Sequence, residues 1–289
     1  MNNWLILDCN FICWRNFFAL RGMSSENNTE VVYGFFSDLI QLYSQFLPAG
    51  VVFCWDVGKP LRATDYPPYK SGRKKQREEM PPEELQKLEN VREHCQTIRN
   101  EYLPRLRFKN IWGEDGYEAD DLMAGACGNI PEGDKAIIVT CDHDLFQCLS
   151  SIVSIYFINT KEMFTEREFT ESRGIKPWQW SWVKAVAGCS SDNIEGVKGV
   201  GEKTAMRYLK KELKETSVAY SSIQNSESII QRNLSLVTLP YPGTPVNKIY
   251  RDKLRKNQWD ELMTELKMPT LENTYQKRRK RGQRKRKLF

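Results

Sequence analysis

Tyr117-Glu118-Ala119-Asp120-Asp121, YEADD in one-letter code, puts three acids in five residues at the mouth of a predicted helix. Asp120 and Asp121 fall at the helix N-terminus, where unsatisfied backbone N–H groups favour carboxylates. Leu122, Met123 and Ala126 form the apolar stripe behind them. Acids are common helix caps, so this stretch by itself decides nothing. Its grammar recurs, however. Asp8 ends the run Trp4-Leu5-Ile6-Leu7, Asp56 ends Val51-Val52-Phe53-Cys54-Trp55, and Asp142 and Asp144 follow Ala136-Ile137-Ile138-Val139-Thr140. These runs are short, β-branched or aromatic, and without alternation, as buried parallel strands read. In an open α/β sheet the carboxyl ends of the strands converge on one crevice. Three strand ends and one helix start, with seven carboxylates between them, would meet there. Like charges that close repel unless cations sit among them, and oxygen-only ligands select hard ions, Mg²⁺ or Mn²⁺.

The bulk properties agree with a globular protein. At 289 residues, 40% hydrophobic and 28% charged, the chain holds one large domain or two modest ones. No stretch approaches the roughly 20 apolar residues that span a bilayer, and the N-terminus lacks the pattern of a secretory signal. The expected location is cytoplasmic. The eight cysteines show no CxxC pairing and mostly lie in apolar patterns, so they read as reduced, buried thiols. The net charge of +6 comes entirely from the end of the chain: residues 277–289 carry nine Lys or Arg, leaving 34 basic against 37 acidic residues elsewhere. Such a tail reads as a disordered, polyanion-seeking arm, and a nuclear import signal has the same composition.

Along the chain, helices are expected at 11–20 and 31–47, the second stopped by Pro48 and Gly50 before the next strand. Residues 58–82 differ in kind. Five prolines punctuate them, Lys70, Arg73, Lys74, Lys75 and Arg77 fall within eight residues, and Tyr66 and Tyr69 interleave. Basic residues among aromatics suit phosphates together with unstacked bases; a solvated loop is the plainer reading. A long helix over 82–106 follows, then a strand at 108–112, the acidic helix start, a fourth strand and a fifth at 152–158. Helical segments are expected at 166–173 and 177–187.

Gly188 to Lys211, GCSSDNIEGVKGVGEKTAMRYLKK, is the second motif. Glycines at 196, 199 and 201 allow a tight backbone, and Glu202-Lys203-Thr204 open a helix. A glycine hairpin feeding a helix N-terminus offers backbone N–H groups to a phosphate. The spacing is that of a helix–hairpin–helix element, which grips a DNA backbone without reading bases. It is not a Walker loop, because the GxxxxGK[ST] register is absent.

In order, LILDCN, FCWDVGKP, PPYKSGRKKQR, GYEADD, TCDHD and SSDNIEGVKGVGEKTA give a chain that resembles the 5′-nuclease superfamily. That superfamily comprises the flap endonucleases and 5′→3′ exonucleases, including stand-alone bacterial and bacteriophage forms and the 5′-nuclease domain of DNA polymerase I. The resemblance runs from about Leu5 to Leu209, with a weaker echo to Pro240. It implies an α/β, PIN-like catalytic domain over 1–180 with a mostly parallel sheet and a helical arch at about 58–106. A helix–hairpin–helix subdomain over 181–276 and the basic tail would follow. It also implies a first metal group of Asp8, Asp56, Glu118, Asp120 and Asp121, and a second of Asp142, Asp144 and Asp192. Lys70 would approach the scissile phosphate, with Arg73 or Arg77 as its companion. Tyr66, Tyr69, Lys74, Lys75, Lys198, Gly199, Gly201, Lys203 and Thr204 would touch nucleic acid, with K⁺ at the hairpin. One position departs from the family pattern: Cys189 stands where an acid is common. A thiol is a poor Mg²⁺ ligand, so the second ion should be held weakly, with Ser190 and Ser191 able to contribute only through water.

These readings give a metal-dependent, structure-guided 5′ nuclease. Its substrates would be branched or 5′-ended DNA and RNA–DNA hybrid, cut by a monomer working beside replication proteins. Two ions would serve the attacking and leaving oxygens, with Lys70 and an arginine offsetting phosphate charge. Two other classes compete. A non-catalytic DNA-structure binder would bind in EDTA and yield no product, and a PIN-type ribonuclease would lack the hairpin at 196–203.

Overall fold

The computed structural model describes residues 1–20 and 29–272. The basic tail expected at 277–289 lies outside them, as does the Lys74 side chain. The chain begins with β1 (Asn3–Asp8), α1 (Cys9–Ala19), α2 (Glu30–Phe46) and β2 (Gly50–Cys54). The segment between the second and third strands carries α3 (Arg62–Asp65), α4 (Ser71–Glu78), α5 (Pro82–Thr97) and α6 (Leu103–Arg105), then β3 (Asn110–Trp112). Next come α7 (Ala119–Gly128), β4 (Lys135–Thr140), β5 (Val153–Phe157), β6 (Glu162–Phe164), α8 (Glu166–Arg173) and α9 (Trp180–Ala187). A short ribbon of β7 (Gly188–Cys189) and β8 (Ile194–Glu195) leads to α10 (Glu202–Leu209), α11 (Val218–Gln224), α12 (Glu227–Val237), α13 (Lys256–Glu265) and α14 (Pro269–Glu272).

The main sheet has the order β3-β2-β1-β4-β5-β6, parallel except for β6. Sequence order reverses at β1, which pairs with β2 on one side and β4 on the other, with Ile6 opposite both Val52 and Ile138. The strands are apolar throughout because both faces are covered. Successive side chains point to opposite faces: Leu5, Leu7, Val51 and Phe53 pack with α1, α2 and α5. Ile6, Val52 and Ile138 pack with α7, α9 and α12.

Two features differ from the sequence reading. The helix expected over 82–106 is interrupted by a π turn at Ile98–Tyr102. Pro104 has no N–H to return to the preceding turn, so the ladder shifts register before α6. β6 has no counterpart in the sequence reading; three residues on a sheet edge carry too little pattern. Side chains on either side of residue 180 share core clusters. Trp180 and Val183 share a cluster with Ile6 and Val52, while Trp259 of α13 is fully buried edge-on against Phe36 of α2, with ring centroids 5.8 Å apart.

The chain reaches α13 through an extended strap. Asp252 Oδ1 accepts from Val51 N at 3.2 Å and Oδ2 from Lys109 N at 3.3 Å, while Tyr250 N donates to Asn110 Oδ1 at 2.7 Å. All eight cysteines are free, and Cys9, Cys13, Cys54 and Cys95 are buried.

The ribbon after α9 is tightly built. A Cβ on Gly196 would lie 2.3 Å from the Ala187 carbonyl carbon, backbone that cannot swing aside. Gly196→Ala should therefore cost about 1–3 kcal/mol, read as a lowered urea midpoint with an unchanged m-value.

Candidate metal centre

The strand order brings the acids to the reversal point. β1 delivers Asp8, whose Oδ1 accepts from Phe11 N at 3.0 Å and caps α1, while Oδ2 accepts from Thr140 Oγ1 at 3.1 Å. Asp56, just past β2, donates its N–H to Asn10 Oδ1 at 2.9 Å and accepts from Ala119 N, at the start of α7, at 2.8 Å. Asp142, just past β4, donates its N–H to Thr140 Oγ1 at 3.1 Å and accepts from Asp144 N at 2.7 Å. Asp120 enters from the first turn of α7.

These four carboxyls hold one another in check. Burial, then Asp56 and Asp142, pushes Asp8 up to about 7. Burial with Asp142, Asp8 and Asp56 raises Asp120 well above the usual carboxylate range. Loss of solvent raises Asp56, with Glu118 adding to it, and raises Asp142, with Asp144 adding to it. Each resists ionising chiefly because it is buried, with acidic neighbours adding to that. Carboxylate oxygens are the donors that a hard divalent cation takes.

Of the expected group, Asp121 is turned away, and Glu118 lines the cleft with its carboxylate bonded to neighbouring side chains. Asp121 is fully buried and turned to Arg62, with contacts of 2.5 Å to NH1 and 2.7 Å to NH2. It also accepts from Tyr241 N at 2.7 Å and Glu118 N at 3.1 Å. The reason is helical geometry: adjacent residues are rotated by about 100°, so Asp120 and Asp121 cannot both face the strand ends. Glu118 gives Oε1 to Lys70 Nζ at 2.5 Å, and Oε2 to Tyr69 Oη at 2.7 Å and Arg62 NH1 at 3.2 Å. Burial alone would raise its carboxyl, but Lys70, Tyr69 and Arg62 hold it below the usual range. It positions Lys70, and both its oxygens are already engaged.

Lys70 and Arg73 do face the cleft, a space of about 310 Å³ shared with Glu118, Asp120, Asp142 and Asp144. Lys70 sits at φ 52 ahead of α4, its N–H donating to Asp192 O at 2.9 Å and its Nζ 3.8 Å from Asp192 Oδ1. Burial would lower its ammonium, yet Glu118 and Asp192 outweigh that and raise it. Arg73 NH2 donates to Asp192 Oδ1 at 2.9 Å. Of the expected second group, Asp142 lies in the field of Asp120 and Asp8 and also of Asp144 and Asp192. Ligand atoms of Asp144, Cys189 and Asp192 lie within 4.8 Å of one another. His143 stacks on Phe146 with centroids 4.8 Å apart and lines the same cleft.

The expected nucleic-acid contacts divide in the same way. Tyr69 is buried and bonded to Glu118, so it cannot serve as a stacking platform. Tyr66 is half-buried, with the Arg232 guanidinium 4.8 Å from its ring centroid. Lys75, Arg77, Lys198, Gly199, Gly201 and Lys203 are exposed and Thr204 is half-buried. Gly199 has φ +76 with open space where a Cβ would stand, so the turn needs glycine for its backbone alone. Sequence reasoning missed Arg62, Arg92, Arg99 and Lys184. Arg92 and Arg99 line a cavity of about 400 Å³ with Arg73, Arg77, Trp14 and Asp56; burial and the facing Arg92 lower Arg77. Lys184 left a readable signal, a single charge in the apolar helix WSWVKAVA.

The architecture is that of a PIN-like 5′-nuclease fold. Residues 3–174 match the model of the "5′-3′ exonuclease, N-terminal resolvase-like domain" family, and the chain belongs to that family. It is 33% identical to the 5′-3′ exonuclease of Bacillus subtilis over 220 residues, covering 72% of this chain and 70% of that one. It is 31% identical to DNA polymerase I of Caldicellulosiruptor bescii over 241 residues, 80% of this chain but only 27% of the polymerase. The chain thus matches about a quarter of the polymerase length. A zinc-bound structure of the bacteriophage T5 5′-exonuclease superposes with a TM-score of 0.71 at 24% identity, covering 82% of this chain and 90% of that one. A T5 flap endonuclease structure with DNA and metal ions gives 0.70 at 20%, covering 97% and 99%.

Proposed function

We propose that this protein is a divalent-metal-dependent 5′→3′ exonuclease and flap endonuclease, hydrolysing phosphodiesters near the 5′ ends of DNA and of RNA–DNA hybrid. The observation that carries the reading is the burial of Asp8, Asp56, Asp120 and Asp142 within one another's field, with Lys70 and Arg73 lining the cleft that Asp120 and Asp142 also line. Asp8, Asp56, Asp120 and Asp142 would hold Mg²⁺ or Mn²⁺, which when bound supplies Lewis acidity and a water of lowered pKa. The chain's own groups supply the rest. Lys70 and Arg73 are cations held in place by Glu118 and Asp192, so they meet phosphate charge without reorganising. The exposed loop around Lys198, Gly199, Gly201 and Lys203 offers backbone N–H groups and two ammonium groups to a duplex backbone, with K⁺ a further candidate there. The exposed Lys75 and Arg77 extend the positive surface along α4.

The test is a panel of 5′-labelled flap, nicked and hybrid substrates, with EDTA and with metal returned. Product should vanish in EDTA and return with Mg²⁺ or Mn²⁺. Lys70→Met should lower single-turnover cleavage roughly 10²- to 10³-fold, the scale for removing one preorganised electrostatic donor. Cleavage that persists in EDTA would overturn the proposal, as would a panel that yields no product with either metal.

A further inference from the structure

The two halves of the cleft differ in charge balance. Among the described residues no ion pair reaches Asp8, Asp56, Asp120 or Asp142, whereas Asp144 and Asp192 are each already paired with a cationic side chain. Asp192 Oδ1 lies 2.9 Å from Arg73 NH2 and 3.8 Å from Lys70 Nζ. Asp144 Oδ1 lies 3.0 Å from Lys184 Nζ, which is also 3.5 Å from Glu202 Oε1. The third member of this group is a thiol, and Cys189 Sγ is 3.1 Å from Ser191 Oγ. Both carboxylates are therefore already engaged by cations, Lys70 being shared with Glu118 and Lys184 with Glu202, and a sulfur stands where a third oxygen would be needed. That donor set does not fit a hard divalent ion.

Lys184 is not a casual surface lysine. It rises from α9 between the fully buried Val183 and Ala185 and is itself only 9% exposed. Its aliphatic stem lies in the apolar layer and its ammonium emerges into the cleft, which it lines together with Asp144, Cys189 and Asp192.

We propose that the Lys184 ammonium is the resident cation of this half of the cleft. Metal binding is then confined to the Asp8–Asp56–Asp120–Asp142 group, and the protein holds one divalent ion tightly rather than two. Lys184 would present a fixed positive charge to a phosphate arriving beside Asp144, as an ammonium with three donors can. The inference rests on the metal-dependent reading above, and its test separates the two.

The test counts bound Mn²⁺ per full-length chain by electron paramagnetic resonance of the free ion, confirmed by calorimetric titration. The variants are Lys184→Met, which keeps the apolar stem, Cys189→Asp, and the two combined. Wild type should bind one ion, and the double variant two, with the second at least tenfold tighter than any second ion on wild type. Circular dichroism melts check that the variants remain folded. Two comparable ions on wild type would overturn the Lys184 assignment and leave the metal-dependent nuclease standing. A folded double variant that still binds one ion would also overturn it. No Mn²⁺ on wild type would overturn the metal centre itself and this inference with it.

Discussion

Asp8→Asn should make the metal-free protein more stable at pH 8 while lowering cleavage about 10³-fold. The stability effect follows from the carboxyl's position. Burial and its acidic neighbours push the Asp8 carboxyl up to about 7 in the folded protein, well above the range of a solvated carboxylate. The folded state therefore holds this proton more tightly than the unfolded chain does. Below about pH 4 both states are protonated and there is no penalty. As pH rises through the window from about 4 to about 7 the unfolded chain ionises first, and stability falls by about 3–4 kcal/mol. Asparagine removes that penalty and can keep an oxygen for the Phe11 N–H and an N–H for Thr140. Urea denaturation in EDTA at pH 5 and pH 8 measures it: wild type should lose stability between the two and the variant should lose less. The catalytic loss reflects one missing oxygen ligand, several kcal/mol of transition-state stabilisation at about 1.4 kcal/mol per decade. Equal pH dependence in the two proteins would show that Asp8 is not under its neighbours' field.

The largest loss of stability from one side chain is expected for Arg62→Met. Its guanidinium is 3% exposed and joins three parts of the chain. It pairs with Asp121 of α7, touches Glu118, and donates from Nε to Leu236 O at 2.7 Å. Tyr241 stacks over it, 4.5 Å from ring centroid to guanidinium carbon. Methionine fills the space but leaves the Asp121 carboxylate buried without its counter-ion, which costs about 3–5 kcal/mol. Arg62→Met combined with Asp121→Asn should recover a large part of that, because no unpaired charge is left inside. The comparison is of guanidinium chloride midpoints for the four members of the double-mutant cycle. Strict additivity would mean that the two side chains do not act as a pair.

What was legible in the sequence follows from where the information sits. Leu5 to Leu7, Val51 to Phe53 and Ile137 to Val139 are buried on both faces of a parallel sheet, so each strand appears as an unbroken apolar run. The acids directly after those runs had to share the crevice, which is why Asp8, Asp56 and Asp142 could be read together. Asp120 and Asp121 could not be told apart in this way, since their directions depend on a rotation that spelling does not carry. The partners that redirected Asp121 and Glu118, namely Arg62 and Lys70, lie 59 and 48 residues away. Lys184 does leave a signal in the sequence, a lone charge on an apolar helix, but its partners Asp144 and Glu202 lie on other elements. The strap was opaque for a similar reason: Asp252 is 201 residues from the Val51 amide it accepts from.

That strap sets an order of events during synthesis. β3 is an outer strand of the main sheet, and the groups beside it at Lys109 and Asn110 are met by Tyr250 and Asp252, which leave the ribosome about 140 residues later. Until then the Val51 and Lys109 amides and the Asn110 side chain lack these partners. A chain ending before Tyr250 would lack them for good, together with the buried Trp259 of α13, and should collect in inclusion bodies while the whole chain remains in the supernatant.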